Sequence, residues 1–183
     1  MREIVQDGAP VLREVAKPVP EKLFGSTELT EFVADMAAVL DQEPDGVALA
    51  APQVGVSWRL FIVRMDRVET PPLHDGAAEG EAVPARPAAV EVYVNPEIIK
   101  TSRKRAKADE GCLSVRNIYG GTNRHERVTI AARRPDGSHL TRGGGGLLAQ
   151  IFEHEIDHLN GILFTDSAED MVEIKPLHHE PIG

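Results

Sequence analysis

The chain has 183 residues, with 20 Lys and Arg against 29 Asp and Glu, 42% hydrophobic residues and one cysteine. That length suffices for one domain with a sizeable core, and a lone thiol excludes a disulfide-stapled secreted scaffold. A formal net charge of -9 argues against a dedicated nucleic-acid binder, whose footprint is a basic face. The local exception is Lys100, Arg103, Lys104, Arg105 and Lys107, which reads as a solvated strand or loop edge, with a docking patch for an anionic partner as the alternative. No stretch approaches the roughly 18 to 20 apolar residues that span a bilayer, so no membrane contact is expected. The N-terminus has neither a secretory signal nor acid-poor transit character, which makes the cytoplasm the expected location.

Pro10, Pro18 and Pro20 interrupt any helix in the first 20 residues, leaving a short turn around Val11 to Val15. After the candidate caps Ser26 and Thr27, the residues Leu29, Phe32, Val33, Met36, Val39 and Leu40 recur at helical spacing until Pro44-Asp45-Gly46. Leu60 to Val63 reads as a buried strand, and Val90, Val92 and Val94 alternate as a second strand that stops at Asn95-Pro96. Between them residues 66 to 89, rich in Pro, Gly and Ala, read as a mobile excursion within a single domain covering residues 1 to 183. Further strands are expected at Arg127 to Ala132 and Ser138 to Arg142, joined by Pro135-Asp136-Gly137. Gly143 to Gly146 then free the backbone before a buried helix from Leu147 to Leu159, and the chain ends in a short polar tail.

That helix carries His154-Glu155-x-x-His158, which places two imidazoles one turn apart on one face, where both can ligate one metal. Glu155 points about a third of a turn away, toward a water on the metal rather than the metal itself. Burial favours the metal reading over two hydrogen-bonded core histidines, because inward histidines beside an ionised carboxylate are costly without a compensating ion. A catalytic site needs a third protein ligand. Phe164 occupies the place where metzincin peptidases have their third histidine, Glu173 lacks a supporting helix, and Cys112 is either a ligand or a buried small residue; spacing alone does not choose.

Three segments in order carry a resemblance: Gly46-Val47-Ala48-Leu49-Ala50-Ala51-Pro52-Gln53, Glu110-Gly111-Cys112-Leu113-Ser114 and His154 to Gly161. With Pro10 to Val19 they make residues 1 to 166 similar to the peptide deformylases. The resemblance implies an α+β fold, with small mixed or antiparallel sheets packed around a central buried helix that carries the H-E-x-x-H motif. It implies Cys112, His154 and His158 as ligands of one divalent metal, Fe2+ in the cell, while Zn2+, Ni2+ or Co2+ also suit such donors. It implies hydrolysis of the formyl group from N-formylmethionyl peptides, with Glu155 as the proton carrier and the Gln53 amide and Leu113 N–H as donors to the developing oxyanion. Gly46, Val47, Ala48, Leu49 and Gly111 are then the substrate-binding residues, with small side chains so that an extended peptide can lie against the backbone as an added strand. A transient ribosome contact is expected of an enzyme acting on nascent chains, and the Lys100 to Lys107 run is the candidate for it.

Three positions depart from the family's usual pattern: Ala48 for a second glycine, Glu153 for glutamine and Arg116 for proline. They bear on substrate range and pH profile more than on the reaction. A deformylase-like protein that binds metal or peptide without turnover, and an endopeptidase of the general H-E-x-x-H type, are the rival readings. His74, His125, His139, His178 and His179 have no ligand spacing and receive no role.

Overall fold

In the computed structural model, which describes residues 2–68 and 90–174, three helices and eight strands form two antiparallel sheets around one buried helix. The fold is α+β, as the sequence implies. Helix α1 (Thr27–Asp41) opens on Ser26, whose hydroxyl accepts a hydrogen bond from the Leu29 N–H. Strands β1 (Ala48–Ala50), β2 (Leu60–Arg64), β3 (Val90–Thr101), β6 (Arg127–Arg133) and β7 (His139–Gly145) make the larger sheet in the order β1-β2-β3-β6-β7. Strands β4 (Arg105–Cys112), β5 (Val115–His125) and β8 (Glu169–Glu173) make the smaller one in the order β4-β5-β8. Helix α2 is a single turn, Met65–Val68, and α3 is Leu147–Leu159.

The continuous apolar run of β2 follows from burial on both faces. Leu60 and Ile62 join the cluster under α1 with Leu29, Phe32, Met36 and Leu40, while Phe61 and Val63 join the cluster under α3 with Tyr93, Phe152 and Ile156. Phe61, Tyr93 and Phe152 form an aromatic knot, with centroids 4.9 Å apart for Phe61–Tyr93 and 5.4 Å for Tyr93–Phe152. Helix α3 thus lies on the larger sheet with its apolar face, and its other face meets β5 of the smaller sheet. It ends in a Schellman arrangement: Ile162 N–H donates to Asp157 O, Gly161 N–H to His158 O, and Gly161 takes φ 75°.

Several expectations change. The strand starting at Val90 does not stop at Asn95-Pro96 but continues to Thr101 through a bulge, with Asn95 at φ 50° and the register shifting between Val94 and Glu97. A bulge is where a sheet tolerates proline. The Asn95 side chain fixes this bend by accepting from Val19 N–H at 2.8 Å and donating to Val19 O at 3.1 Å. Gly143, Gly144 and Gly145 are not free backbone: they pair with Thr129, Val128 and Arg127 within β7, and only Gly146 turns into α3. Residues Glu169–Glu173 form β8 on β5 rather than a tail. Of the 66 to 89 excursion, Asp66 to Val68 belong to α2, and residues 69–89, with His74, lie outside the described residues, as do residues 175–183 with His178 and His179. The basic run sits as read, exposed along the end of β3, the following turn and β4.

Candidate metal centre and active site

Three elements from three parts of the chain converge at one cavity of about 390 Å³. The β1 edge with the turns around it contributes Gly46, Val47, Ala48 and Gln53; the end of β4 contributes Gly111, Cys112 and Leu113; α3 contributes His154 and Glu155. His158 lies just beneath, almost fully buried. Cys112 Sγ is 3.2 Å from His158 Nε2, and one donor atom each from Cys112, His154 and His158 fall within 4.8 Å of one another. The two imidazoles stand edge to face, 5.0 Å between centroids, as the one-turn spacing requires. Phe164, in the place of a metzincin ligand, is buried and stacks on the His154 ring at 6.2 Å.

The polar surroundings organise these donors. Glu110 Oε2 accepts from His154 Nδ1 at 3.0 Å, which turns Nε2 toward Cys112 and His158. The same carboxylate accepts from Arg124 Nε at 2.7 Å and Nη2 at 3.0 Å and from Thr122 Oγ1 at 2.8 Å, and Arg124 Nη1 continues to Asp157 Oδ2 at 2.6 Å. Burial alone would raise the Glu110 pKa, but His154 and Arg124 outweigh it and hold it at about 2. For His154, burial disfavours the cation, yet the hydrogen bonds to Cys112 and Glu110 win and its pKa stands well above the ordinary value. The negative field that would charge His154 is equally a field that favours a bound cation. His158, by contrast, is held neutral, first by burial and then by the charge of His154.

Glu155 is buried with Oε2 unpartnered among the described residues, and burial pushes its pKa up to about 7. A buried carboxylate oxygen left without a partner, in the cavity where one cysteine sulfur and two imidazoles converge, fits a divalent ion with one position left open. Gln53 is locked in orientation: its Oε1 accepts from Ala50 N–H at 2.8 Å, so Nε2 faces Cys112 Sγ at 3.5 Å and Ser114 Oγ at 3.3 Å. The Leu113 N–H has no acceptor among the described residues, while its carbonyl accepts from Gln6 Nε2 at 3.1 Å.

Not every expected site residue faces the cavity. Leu49 is fully buried on the opposite face of β1, packed beneath α1, so its side chain cannot meet substrate. The glycines also have an internal cause: a Cβ on Gly46 would stand 2.8 Å from Leu40 Cδ1, and one on Gly111 would stand 2.7 Å from the Tyr119 ring. Glu153 does not turn a free charge toward the centre, because His125 N–H and His125 Nδ1 take its two oxygens at 2.7 Å each. His125, given no role from spacing, is therefore its partner. Sequence reasoning also missed Glu110, Arg124 and Asp157. Glu110 and Asp157 stood inside the recognised segments, but Arg124, which joins them, did not.

The family model for polypeptide deformylase matches residues 1–173. The chain belongs to the peptide deformylase family. A peptide deformylase of Carboxydothermus hydrogenoformans is 38% identical over 170 residues, covering 93% of this chain and 95% of that protein. Among solved structures, the actinonin-bound class I type b peptide deformylase of Acinetobacter baumannii superposes with a TM-score of 0.76 at 32% identity, covering 92% of this chain and 99% of that one. The Met-Ala-Ser-bound form of the Acinetobacter enzyme matches with a TM-score of 0.75 at 33% identity, over 91% of this chain and 98% of that one.

Proposed function

We propose that this deformylase-family chain hydrolyses the formamide at the N-terminus of formyl-methionyl polypeptides, using Cys112, His154 and His158 to hold one divalent ion and Glu155 to carry the proton. The observation that supports the residue roles most is the coincidence, in one cavity, of a Cys/His/His donor set with a buried, unpartnered carboxylate. A divalent ion there supplies Lewis acidity to the attacking water and to the carbonyl under attack. The donor set suits ferrous iron, our choice for the ion in the cell, as well as zinc, nickel or cobalt.

The chain's own groups do the rest. Glu155, poised near neutrality by burial, accepts the proton of the attacking water at Oε2. The tetrahedral oxyanion receives hydrogen bonds from Gln53 Nε2 and the Leu113 N–H, both held in place before substrate arrives. Glu155 then returns its proton to the departing nitrogen, giving formate and a free N-terminal amine. Substrate backbone pairs with the β1 edge. Arg64 N–H bonds to Val47 O, so by antiparallel alternation Val47 and Leu49 turn their backbone groups toward β2 and Ala48 turns its own toward the cavity. Its methionine side chain lies against the apolar wall that includes Ile151 and Leu147.

Among the described residues no helix is long and apolar enough to cross a membrane. We place the reaction in the cytoplasm on nascent chains, with the exposed Lys100, Arg103, Lys104, Arg105 and Lys107 making a transient ribosome contact. Charge reversal of these five should lower co-sedimentation with ribosomes; unchanged co-sedimentation removes them from that role. The reaction is tested by anaerobic purification with ferrous iron and parallel assay of formate release and internal peptide cleavage. Formate without internal cleavage is expected, and the absence of formate overturns the reading.

A further inference from the structure

The outer end of the cavity is spanned by an ion pair that joins its two walls. Glu43 lies in the turn between α1 and β1, and Arg116 lies 73 residues further on, near the start of β5. Arg116 Nη2 donates to Glu43 Oε1 at 2.6 Å and Nη1 donates to Oε2 at 3.2 Å, a two-pronged contact. The Glu43 side chain is 21% exposed and that of Arg116 is 50% exposed. Behind the same turn, Arg67 Nη1 donates to Glu43 O at 2.8 Å and also to Gly46 O. The β1 wall is therefore anchored from behind by Arg67 and from across the opening by Arg116. Arg116 is also the sole Lys or Arg lining the cavity among the described residues.

The direction of β1 places this tie on the path of the substrate. β1 runs from Ala48 toward Gln53, so its end nearest the reacting carbonyl is the C-terminal one. A peptide paired antiparallel at Ala48 leads back past Gly46, and its third residue, two strand positions from the first, comes alongside the turn that holds Glu43.

We propose that the Glu43–Arg116 pair is a specificity determinant for the substrate beyond its first two residues: it fixes the width of the groove that the third and later residues occupy. The inference rests on the deformylase reading and deepens it. Both residues act by positioning, since the tie holds the β1 wall against the β5 wall and takes no part in proton transfer.

The test is steady-state formate release by the full-length, metal-loaded protein from formyl-Met-Ala and from formyl-Met-Ala-Ala-Ala. Arg116→Ala and Glu43→Ala should each raise KM for the longer peptide roughly 3- to 5-fold, the scale of a partly exposed two-pronged pair, with kcat and the KM for formyl-Met-Ala unchanged. Arg116→Lys, which keeps charge but loses the fork, should fall between. The exchanged pair, Glu43→Arg with Arg116→Glu, should recover affinity for the longer peptide toward the wild-type value. Unchanged KM in the single variants, an equal rise for both peptides, or a loss confined to kcat overturns the proposal while leaving deformylation standing. No formate from either peptide with the wild type overturns the deformylase reading and this inference with it.

Discussion

Glu110 accepts a hydrogen bond from His154 Nδ1 at 3.0 Å, whereas the Nδ1 of His158, four residues later on the same helix, has no partner among the described residues. The two imidazoles of one motif are thus held differently. His154 is oriented by a carboxylate that is itself tied by Arg124 to Asp157, and His158 is oriented by packing and by its place one turn along α3.

Glu110→Gln keeps the shape and removes the charge. It should weaken metal binding about 10- to 100-fold, as loss of a ligand-orienting carboxylate does, measured by competition with a chelating dye. Glu110→Ala should do more, because it leaves the buried Arg124 guanidinium with Asp157 as its remaining carboxylate partner, and should cost about 1 to 3 kcal/mol of stability in denaturant unfolding.

The same carboxylate sets an acid dependence. Its folded pKa of about 2 lies below the ordinary 4.5, so between those values the unfolded chain binds the extra proton. The stability from Glu110 is present in full above about pH 4.5 and is lost as the pH falls toward 2. Thermal unfolding of the metal-free protein should show this loss, and Glu110→Gln should flatten it. Equal slopes for the two proteins would contradict it.

Glu155→Gln should retain the metal and lose about 100- to 10,000-fold in kcat. In the wild type, burial holds the carboxyl near 7 while a bound cation draws it down, so the acid limb of kcat/KM should fall at or below about pH 7. Only the ionised form takes a proton, so rate rises with pH through that limb. A limb rising toward acid would exclude Glu155 as the base.

Gln53→Ala removes one oxyanion donor and should lower kcat roughly 100- to 1000-fold, with metal content unchanged. Gln53→Glu places an acceptor where a donor is required and should be no better. Turnover close to wild type in both would take Gln53 out of the reaction.

His125→Ala leaves the buried Glu153 carboxylate with one of its two partners and should cost about 1 to 3 kcal/mol without changing metal stoichiometry. Metal loss in this variant would mean that the pair belongs to the centre after all.

What the sequence disclosed follows from how local each cause is. The apolar stripe of α1, the doubly buried β2 and the thirteen residues of α3 are written in nearest-neighbour periodicity, and they stand where that periodicity puts them. β4 and β5 were not legible, because Arg105–Cys112 alternates charge with alanine and glycine, and β5 carries Gly120-Gly121 in mid-strand; their pairing comes from each other and from β8. That Cys112, His154 and His158 come together was legible because the two histidines share a helix face and the cysteine sits in a recognisable segment. Glu110, Arg124 and Asp157 were not, because their meaning lies in contacts 14 to 44 residues apart that only the fold creates. Gly46 and Gly111 read as room for substrate and do line the cavity, but only the fold shows that Leu40 and Tyr119 also require them to lack a side chain.

The account turns on a single ion held by Cys112, His154 and His158, and the most direct measurement is formate release from a formyl-methionyl peptide as ferrous iron is added back to metal-free protein. Activity should rise in proportion to bound iron and level off at one ion per chain, and Cys112→Ala should neither bind the ion nor release formate. Full activity in the metal-free protein, or in Cys112→Ala, would contradict it.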